Sequence, residues 1–444
     1  MKSMTLVNLV PKLGSETAVP IGPLYVATVL EQAGCEVDFR DYQSAPYENP
    51  LTQKNIIEFL SDSEDILGVS CLLSTLPFLL PSLKKLKAEI PEKTIILGGP
   101  GATCAAEKLL ERFPFIDLVV KGEGEHTAVD LAKGLPYHDI RGIVFHSNGK
   151  VVSTPERERI HHLDEVPFPA YDKVDLLRYD QVGVITARGC TYHCTFCEVA
   201  PLWGYHNEQR SVSNVIAEIK TLHDTYGVKL LHIYDDTFVL NRKWVLNFCE
   251  ALKAEKMDIT WRCMGRINLM DEELLSHMAD AGCVSIQYGI ESGSERILKR
   301  VGKQITVPQA EKVVKLSVEY IERVVTTFMW GFPFETMGDF FKTIFLMGKL
   351  SGMGSLVRLL LLHPAPSSSL YREYADQLQF KEEFATTLLW GPFKDRALSE
   401  EKKEVFEMII QNPDIFSGFH YVYSPDVEKK HQFLKKAGLL REVK

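Results

Sequence analysis

The chain has 444 residues, which at about 150 residues per domain allows two or three domains with full cores and excludes a single small stapled module. Hydrophobic residues at 45%, charged at 25% and aromatic at 10% exclude a disordered or fibrous chain. Fifty basic against fifty-nine acidic side chains leave a net charge of −9, so no basic field exists for collecting nucleic acid and no nucleic-acid partner is expected. Residues 1–11 read as a short apolar strand without a signal peptide's apolar region or cleavage site. The longest apolar runs, such as 356–362, fall far below the roughly 18 residues of a membrane helix; the expectation is a cytoplasmic protein with no transmembrane segment. Nine cysteines, an odd and scattered set, do not make a disulfide framework. Three of them, Cys190, Cys194 and Cys197, lie close together and suggest a metal site in a reducing compartment.

From residue 5 to about 132, β-branched runs at 5–10, 36–39, 66–70, 94–97 and 117–120 alternate with helical patterns at 23–33, 76–89 and 105–113. Such alternation predicts an α/β, doubly wound, Rossmann-like domain whose ligands sit beyond the carboxyl ends of the strands, at a topological switch point. A hairpin follows, 142–145 against 150–152 across Ser147-Asn148-Gly149, where Asn-Gly is a tight-turn signal. Pro155, Pro167 and Pro169 mark a linker. A second series has strands at 183–186, 229–234, 259–263, 284–288, 324–329 and 356–362, with helical patterns between them, for example at 213–226, 243–255 and 271–281. Repeated β/α units of this kind predict a partial (β/α)6 barrel of TIM type, with its chemistry at the strand C-terminal ends. The expected domains are 1–140, a linker over 141–180, a barrel over 181–366, and a mainly helical region over 367–444 that shapes the substrate pocket.

The cysteine cluster reads Arg188-Gly189-Cys190-Thr191-Tyr192-His193-Cys194-Thr195-Phe196-Cys197, a C-x3-C-x2-C spacing directly after the first strand of the second series. Three thiolates on one loop can wrap a soft metal centre, and a cubane iron-sulfur cluster takes one thiolate per iron. No further cysteine occurs until Cys249, inside a predicted helix. The spacing therefore points to a four-iron cluster with one iron open, and an open position is where a substrate or cofactor binds. The competing reading is a zinc knuckle completed by His193 or His206, although structural zinc sites normally pair two C-x2-C or C/H arms.

At these residues the chain resembles the radical SAM superfamily, whose signature is a C-x3-C-x-aromatic-C loop after the first barrel strand, with Phe196 in the aromatic slot. The resemblance implies that Cys190, Cys194 and Cys197 hold a [4Fe-4S] cluster whose fourth iron is chelated by S-adenosyl-L-methionine. Reductive cleavage of that cofactor gives a 5′-deoxyadenosyl radical, and Phe196 is expected to pack near the adenine. Weaker family motifs follow at later strand ends. Asp235 and Asp236, in Tyr234-Asp235-Asp236-Thr237-Phe238, would stand near the methionine amine. Arg262 or Arg266 would pair with the carboxylate, and Glu291 and Ser292, in Gly289-Ile290-Glu291-Ser292-Gly293, would contact ribose and carboxylate. Gly331-Phe332-Pro333-Phe334-Glu335-Thr336 resembles the family's Gly-x-Pro-x-Glu-Thr segment. The alternatives are a helix N-cap for Asp235 and Asp236, a capping or loop carboxylate for Glu291, and a surface cation for Arg266.

In the amino-terminal domain Ser70-Cys71-Leu72, Gly98-Gly99-Pro100-Gly101 and Gly122-Glu123-Gly124-Glu125 follow successive strands, placing small and polar groups at neighbouring strand tips. Paired glycines there allow close backbone approach to a ligand, or form a plain turn. The arrangement resembles the cobalamin-binding domain that precedes the barrel in one radical SAM class. That resemblance implies that Ser70, Leu72, Gly98 and Gly99 receive the dimethylbenzimidazole tail, with Glu123 on the same edge. Methyl-carrying cobalamin proteins usually present Asp-x-His-x-x-Gly; here Asp41-Tyr42-Gln43 stands at that point, and Gln43 cannot replace a cobalt-ligating imidazole. The alternative is a Rossmann-like domain kept for packing or for another ligand.

The resemblances together imply a cobalamin-dependent radical SAM enzyme that methylates an unactivated carbon. A cyclase, oxidase or rearrangement enzyme of the same architecture is the rival, and a non-catalytic iron-sulfur or cobalamin sensor the distant one. The implied partners are a small-molecule or peptide substrate and an external one-electron reductant such as a flavodoxin or ferredoxin. Cys35, Cys71, Cys104, Cys249, Cys263 and Cys283 sit in apolar runs and read as buried packing residues.

Overall fold

The computed structural model describes residues 3–11, 16–385 and 401–440. Strands β1 (Ser3–Asn8), β2 (Glu36–Asp41), β3 (Ile66–Ser70), β4 (Thr94–Gly98), β5 (Leu118–Val120), β6 (Ile143–Ser147) and β7 (Lys150–Ser153) form one sheet in the order β2-β1-β3-β4-β5-β6-β7. The first five pair in parallel, as crossover helices require, and the chain reverses its winding at β1. The hairpin β6–β7 joins this sheet antiparallel to β5 instead of opening the linker. Its turn has positive φ at Asn148 and Gly149, as the Asn-Gly signal anticipates.

The second sheet contains β8 (Val182–Val184), β11 (Leu230–Ile233), β12 (Thr260–Gly265), β13 (Cys283–Glu291), β14 (Arg323–Trp330) and β15 (Leu356–Leu361), all parallel and in sequential order. β8 and β15 are both edges, so the barrel is open along one side. Between β8 and β11 the chain forms a short antiparallel pair, β9 (Ala187–Arg188) with β10 (Glu208–Gln209), which brackets the cysteine loop. Later strand connections carry helices Glu295–Arg300, Val307–Tyr320 and Met337–Gly352, in keeping with the expected alternation; the last two begin at capping boxes, Thr306 with Gln309 and Thr336 with Asp339.

One apolar core runs without interruption from Met4, Leu24 and Leu30 beneath the first sheet to Val215, Trp261 and Leu274 outside the barrel. The carboxyl-terminal region then bridges the two halves. Helix Lys402–Gln411 packs through Val405 and Ile409 onto the amino-terminal domain, and helix Val427–Lys436 packs through Val427 and Leu434 against Trp330 and Phe340 of the barrel. The carboxyl ends of the parallel strands in both sheets border a shared space.

Candidate active site

The cysteine loop is built by backbone constraints on both sides. Gly189 has φ +98°, and a Cβ there would stand 2.2 Å from the His206 carbonyl and 2.9 Å from Trp203 Cβ, so only glycine lets the chain turn between β9 and Cys190. Further along, Thr195 N donates to the Val301 carbonyl at 3.0 Å, and the Thr195 carbonyl accepts from Leu370 N at 2.8 Å. Cys190 Sγ lies 3.7 Å from Thr237 Oγ1. Arg266 Nη1 approaches Cys194 Sγ at 3.7 Å, while the guanidinium lies 3.4 Å over the Tyr192 ring and also donates to the Lys303 carbonyl. Arg266 is buried, not a surface cation, and a donor beside a cysteinyl sulfur stabilises the thiolate and raises a cluster's potential.

Among the described residues no three His, Cys, Asp or Glu side chains converge on a single-ion site, and the His193 ring packs tilted against Tyr205, with 4.4 Å between ring centroids. The donors offered are three thiols on one loop, none of them in a disulfide. A cubane spreads its ligands over several irons and does not require their convergence on one ion.

The remaining barrel residues separate into those at the opening and those committed elsewhere. Asp235 is buried and accepts from Thr186 N at 2.6 Å, Ala187 N at 3.1 Å and the Thr186 hydroxyl, and burial pushes its carboxyl up to about 7. It locks β8 to β9 and caps no helix; the cap of helix Arg242–Glu255 is Asn241. Asp236 accepts from Gly189 N, is pushed up to about 6 by burial, and faces open space. Glu291 adopts φ +73° at a bulge in β13 and pairs with Lys303 Nζ at 2.8 Å, which lies 5.9 Å from the Phe196 ring centroid. Ser292 is fully buried and shares its hydroxyl between Thr343 Oγ1 and Ser294 N, both at 3.1 Å, so it turns away from the mouth. Arg262 stands four residues down β12 from Arg266, roughly 13 Å deeper at about 3.3 Å per residue. Of the two arginines, Arg266 is the one at the cysteine loop.

A cavity of 970 Å³ lies between the sheets. On one side it is lined by Ser70, Leu72, Gly98, Gly99 and Glu123, and on the other by Arg188, Glu198, Trp203, Tyr234 and Asp236. The volume is at the upper end of the range for ligand pockets. Leu72 exposes 39% of its surface there, and Gly98 has open space where a Cβ would stand. Gly99, at φ +86°, instead packs on β3, with a Cβ position 3.0 Å from Ser70 Oγ. The strand tips thus offer bare backbone and an exposed apolar side chain to a large ligand. Glu123 is held within the protein, accepting from Arg188 Nη1 at 2.7 Å and from Ile160 N at 2.8 Å. Gln43 is also engaged, its amide bonding the Ala18 backbone in both directions at 3.1 and 2.9 Å.

Family models match both halves of this arrangement: the radical SAM superfamily over residues 184–347 and the B12 binding domain over residues 15–132. The chain belongs to the cobalamin-binding radical SAM enzymes. It is 32% identical over 393 residues to the uncharacterized methyltransferase PH0819 of Pyrococcus horikoshii, covering 84% of each chain. It is 28% identical over 371 residues to the cytidylyl-2-hydroxyethylphosphonate methyltransferase of Streptomyces wedmorensis, covering 71% of this chain and 69% of that one. Among solved structures it resembles the radical SAM methyltransferase TsrM from Kitasatospora setae, with cobalamin and a [4Fe-4S] cluster bound, at a TM-score of 0.67 and 19% identity over 85% of this chain and 78% of that one. It resembles the cobalamin-dependent radical enzyme OxsB with aqua-cobalamin at 0.74 and 19%, over 99% and 66%. These structural likenesses share the fold.

The cofactors of this enzyme are therefore a [4Fe-4S] cluster, S-adenosyl-L-methionine and cobalamin. The residues present fit them: three free thiols on one loop beside Arg266, and a cavity with bare strand tips reaching Asp236. No helix among the described residues is long and apolar enough to cross a membrane. Sequence reasoning missed Arg188, which had no motif role beyond preceding the cysteines, and misjudged Cys104. That thiol is half-buried on the cavity wall, 4.0 Å from Glu198 Oε2, instead of packing in the core.

Proposed function

We propose that this radical SAM enzyme transfers a methyl group to an unactivated carbon of a small-molecule or peptide substrate, using an external one-electron donor such as a flavodoxin or ferredoxin. One observation carries the reading: a single cavity connects the cobalamin-side strand tips, Ser70, Leu72 and Gly98, to Asp236 and the approach to the cysteine loop. When bound, the three cofactors supply a low-potential electron, a hydrogen-abstracting group and a methyl donor. The chain's own work is positional. Cys190, Cys194 and Cys197 hold the cluster, with Arg266 fixing the charge beside Cys194. Phe196, packed near Phe332 at 6.2 Å, offers an adenine-facing ring. Asp236, Arg266 and Glu291 provide polar contacts around the methionine moiety, with Ser292 and Asp235 bracing the strand ends behind them.

The methyltransferases among the relatives favour this reading, including one aligned over 84% of the chain. Ring closure without methylation is the rival, since the anaerobic magnesium-protoporphyrin IX monomethyl ester cyclase of Cereibacter sphaeroides aligns over 92% of this chain at 26% identity. The test is anaerobic reconstitution with iron, sulfide and cobalamin, then reduction with labelled S-adenosyl-L-methionine and mass analysis of the substrate. Methyl transfer yields S-adenosylhomocysteine, 5′-deoxyadenosine and a product carrying the label. A substrate altered without label supports ring closure, and a full cluster retained in each of Cys190→Ala, Cys194→Ala and Cys197→Ala would sink the site assignment.

A further inference from the structure

The inner face of the barrel carries two arginines, Arg262 and Arg358, that form no ion pair among the described residues. Along β12, Trp261 and Cys263 pack outward into the core, so alternation sends Arg262 and Met264 inward. On β15, Val357 and Leu359 pack against that core, which turns Leu356, Arg358 and Leu360 to the inner side. A closed barrel of this type fills its interior with side chains. Here Met264 is 37% exposed, Leu356 49% and Leu360 53%, so the interior is an open cleft with apolar walls.

Arg262 projects into this cleft from mid-strand. Its Nη1 lies 3.4 Å from His232 Nε2, its buried Nε has no hydrogen-bond partner, and among the described residues no carboxylate pairs with it. His232 supplies no counter-charge, since an imidazole is neutral or cationic; burial and the adjacent Arg262 push it down to about 4, so it stands beside Arg262 as a neutral acceptor. Glu16, whose charge acts on His232 in the opposite sense, is held by Gln181 Nε2 at 2.7 Å. Arg358, on the opposite edge strand, is exposed and likewise has no carboxylate partner among the described residues. Among the described residues neither guanidinium is ion-paired, and Glu16, the carboxylate felt at His232, acts on this end of the cleft without bonding to Arg262. A guanidinium withdrawn from water is stabilised by a planar anion it can engage with two parallel donors.

We propose that this cleft is a substrate subsite for an amphiphilic anion, whose carboxylate or phosphate is held by Arg262 while its apolar body runs along Met264 and Leu360 past Arg358 toward the cysteine loop. The inference rests on the reading of the cavity above as the place of reaction. Arg262 sits roughly 13 Å below Arg266 by strand rise, so the anionic group is remote from the carbon that reacts.

Equilibrium binding by calorimetry to the reconstituted holoenzyme, without S-adenosyl-L-methionine or reductant, tests this directly. The probes are octyl phosphate, octanoate and octanol. Both anions are expected to bind at least tenfold tighter than octanol and to weaken as salt is raised, and the tighter of the two identifies the anion class. Arg262→Gln should lose at least tenfold in anion affinity with cluster absorbance retained, and Arg358→Gln a few-fold. Should Arg262→Gln lose the cluster, Arg358→Gln and the salt dependence of the wild type decide. Octanol binding as tightly as the anions, or anion affinity that neither salt nor Arg358→Gln changes, overturns the proposal. No turnover takes place, so failed methyl transfer leaves this result standing, and absent anion binding leaves methyl transfer standing.

Discussion

Arg188 reaches from the barrel into the amino-terminal domain and holds Glu123 at 2.7 Å through Nη1, with Glu125 at 2.6 Å on Nη2. Arg188 immediately precedes Gly189 and Cys190, while Glu123 lies in the loop after β5 that lines the cobalamin-side wall. All three side chains are less than a tenth exposed. Arg159 adds a second tie, donating from Nη2 to the Arg188 carbonyl at 3.0 Å and from Nη1 to the Trp203 carbonyl at 3.1 Å. The segment leading into the cysteine loop and the loop after β5 are therefore fixed to each other by charge, at the rim of the cavity both border.

Removing Arg188 leaves two carboxylates buried without a counter-charge. Breaking a buried pair from one side costs about 3–5 kcal/mol. Arg188→Ala is expected to lower the thermal midpoint and to weaken cobalamin retention on gel filtration, because the Glu123 loop is released. Arg188→Lys, a single point charge, should recover one carboxylate and only part of the loss. Cobalamin retention equal to wild type in Arg188→Ala would show that the loop is held by other contacts.

Asp235 gives a pH signature. Its carboxyl is pushed from 3.8 to about 7 by burial, and the Thr186 and Ala187 hydrogen bonds only partly offset this. The native state therefore holds a proton that the unfolded chain releases, so stability falls as pH rises from about 4 to about 7 and then levels. Asp235→Asn keeps the oxygen that accepts from the two backbone N–H groups and offers its amide to the Thr186 hydroxyl. The variant is expected to match wild type near pH 4 and to exceed it by a margin that grows up to pH 7, measured as thermal midpoints across that range. A constant difference across the range would place the titration elsewhere.

Much of this site was legible in the sequence because its signals are local. The cysteine spacing, the Gly98-Gly99 turn and the Ser147-Asn148-Gly149 hairpin each depend on neighbouring residues, and each stands where periodicity placed it. What the sequence hid are pairings across long separations. Glu123 read as a ligand contact because nothing near it in sequence announces Arg188, 65 residues away. Ser292 read as a cofactor contact because nothing near it in sequence announces Thr343, 51 residues away in helix Met337–Gly352. Cys104 read as core because an apolar run does not reveal that its far side borders a cavity.

By the resemblance to methyl-carrying cobalamin proteins, Asp41-Tyr42-Gln43 stands where their Asp-x-His segment would, which invites the substitution Gln43→His. The structure argues against a gain of ligation. Gln43 bonds both the N–H and the carbonyl of Ala18 and is held by Asp41, which itself accepts from Asn8 at 2.8 Å and Tyr179 at 2.5 Å. The side chain is therefore committed to the backbone at Ala18, which pairs with Gln181, and Gln43 is not among the residues lining the cavity. Gln43→His is expected to forfeit the two Ala18 hydrogen bonds, about 1 kcal/mol each, and to leave the visible spectrum of bound cobalamin unchanged. A spectrum shifted to that of a nitrogen-ligated cobalt would refute this account.

Lys430 tests whether the carboxyl-terminal region belongs to the active enzyme or merely covers it. Its ammonium is fully buried, 2.9 Å from Glu335 Oε2 and 2.6 Å from the Glu335 carbonyl, and Glu335 Oε2 also accepts from Gly331 N at 3.1 Å. The Gly-x-Pro-x-Glu-Thr loop is thus folded around a charge supplied from about a hundred residues later, while His431 stacks on Trp330 at the end of β14. Lys430→Ala strands the Glu335 carboxylate, at a cost of about 3–5 kcal/mol. It is expected to speed limited proteolysis between barrel and tail. The double variant Glu335→Gln with Lys430→Met removes both charges and should recover most of the protection, since an apolar replacement of a buried pair is close to neutral. If the double variant is cleaved as fast as Lys430→Ala, the loop is held by the Lys430 hydrogen bonds themselves and not by charge compensation.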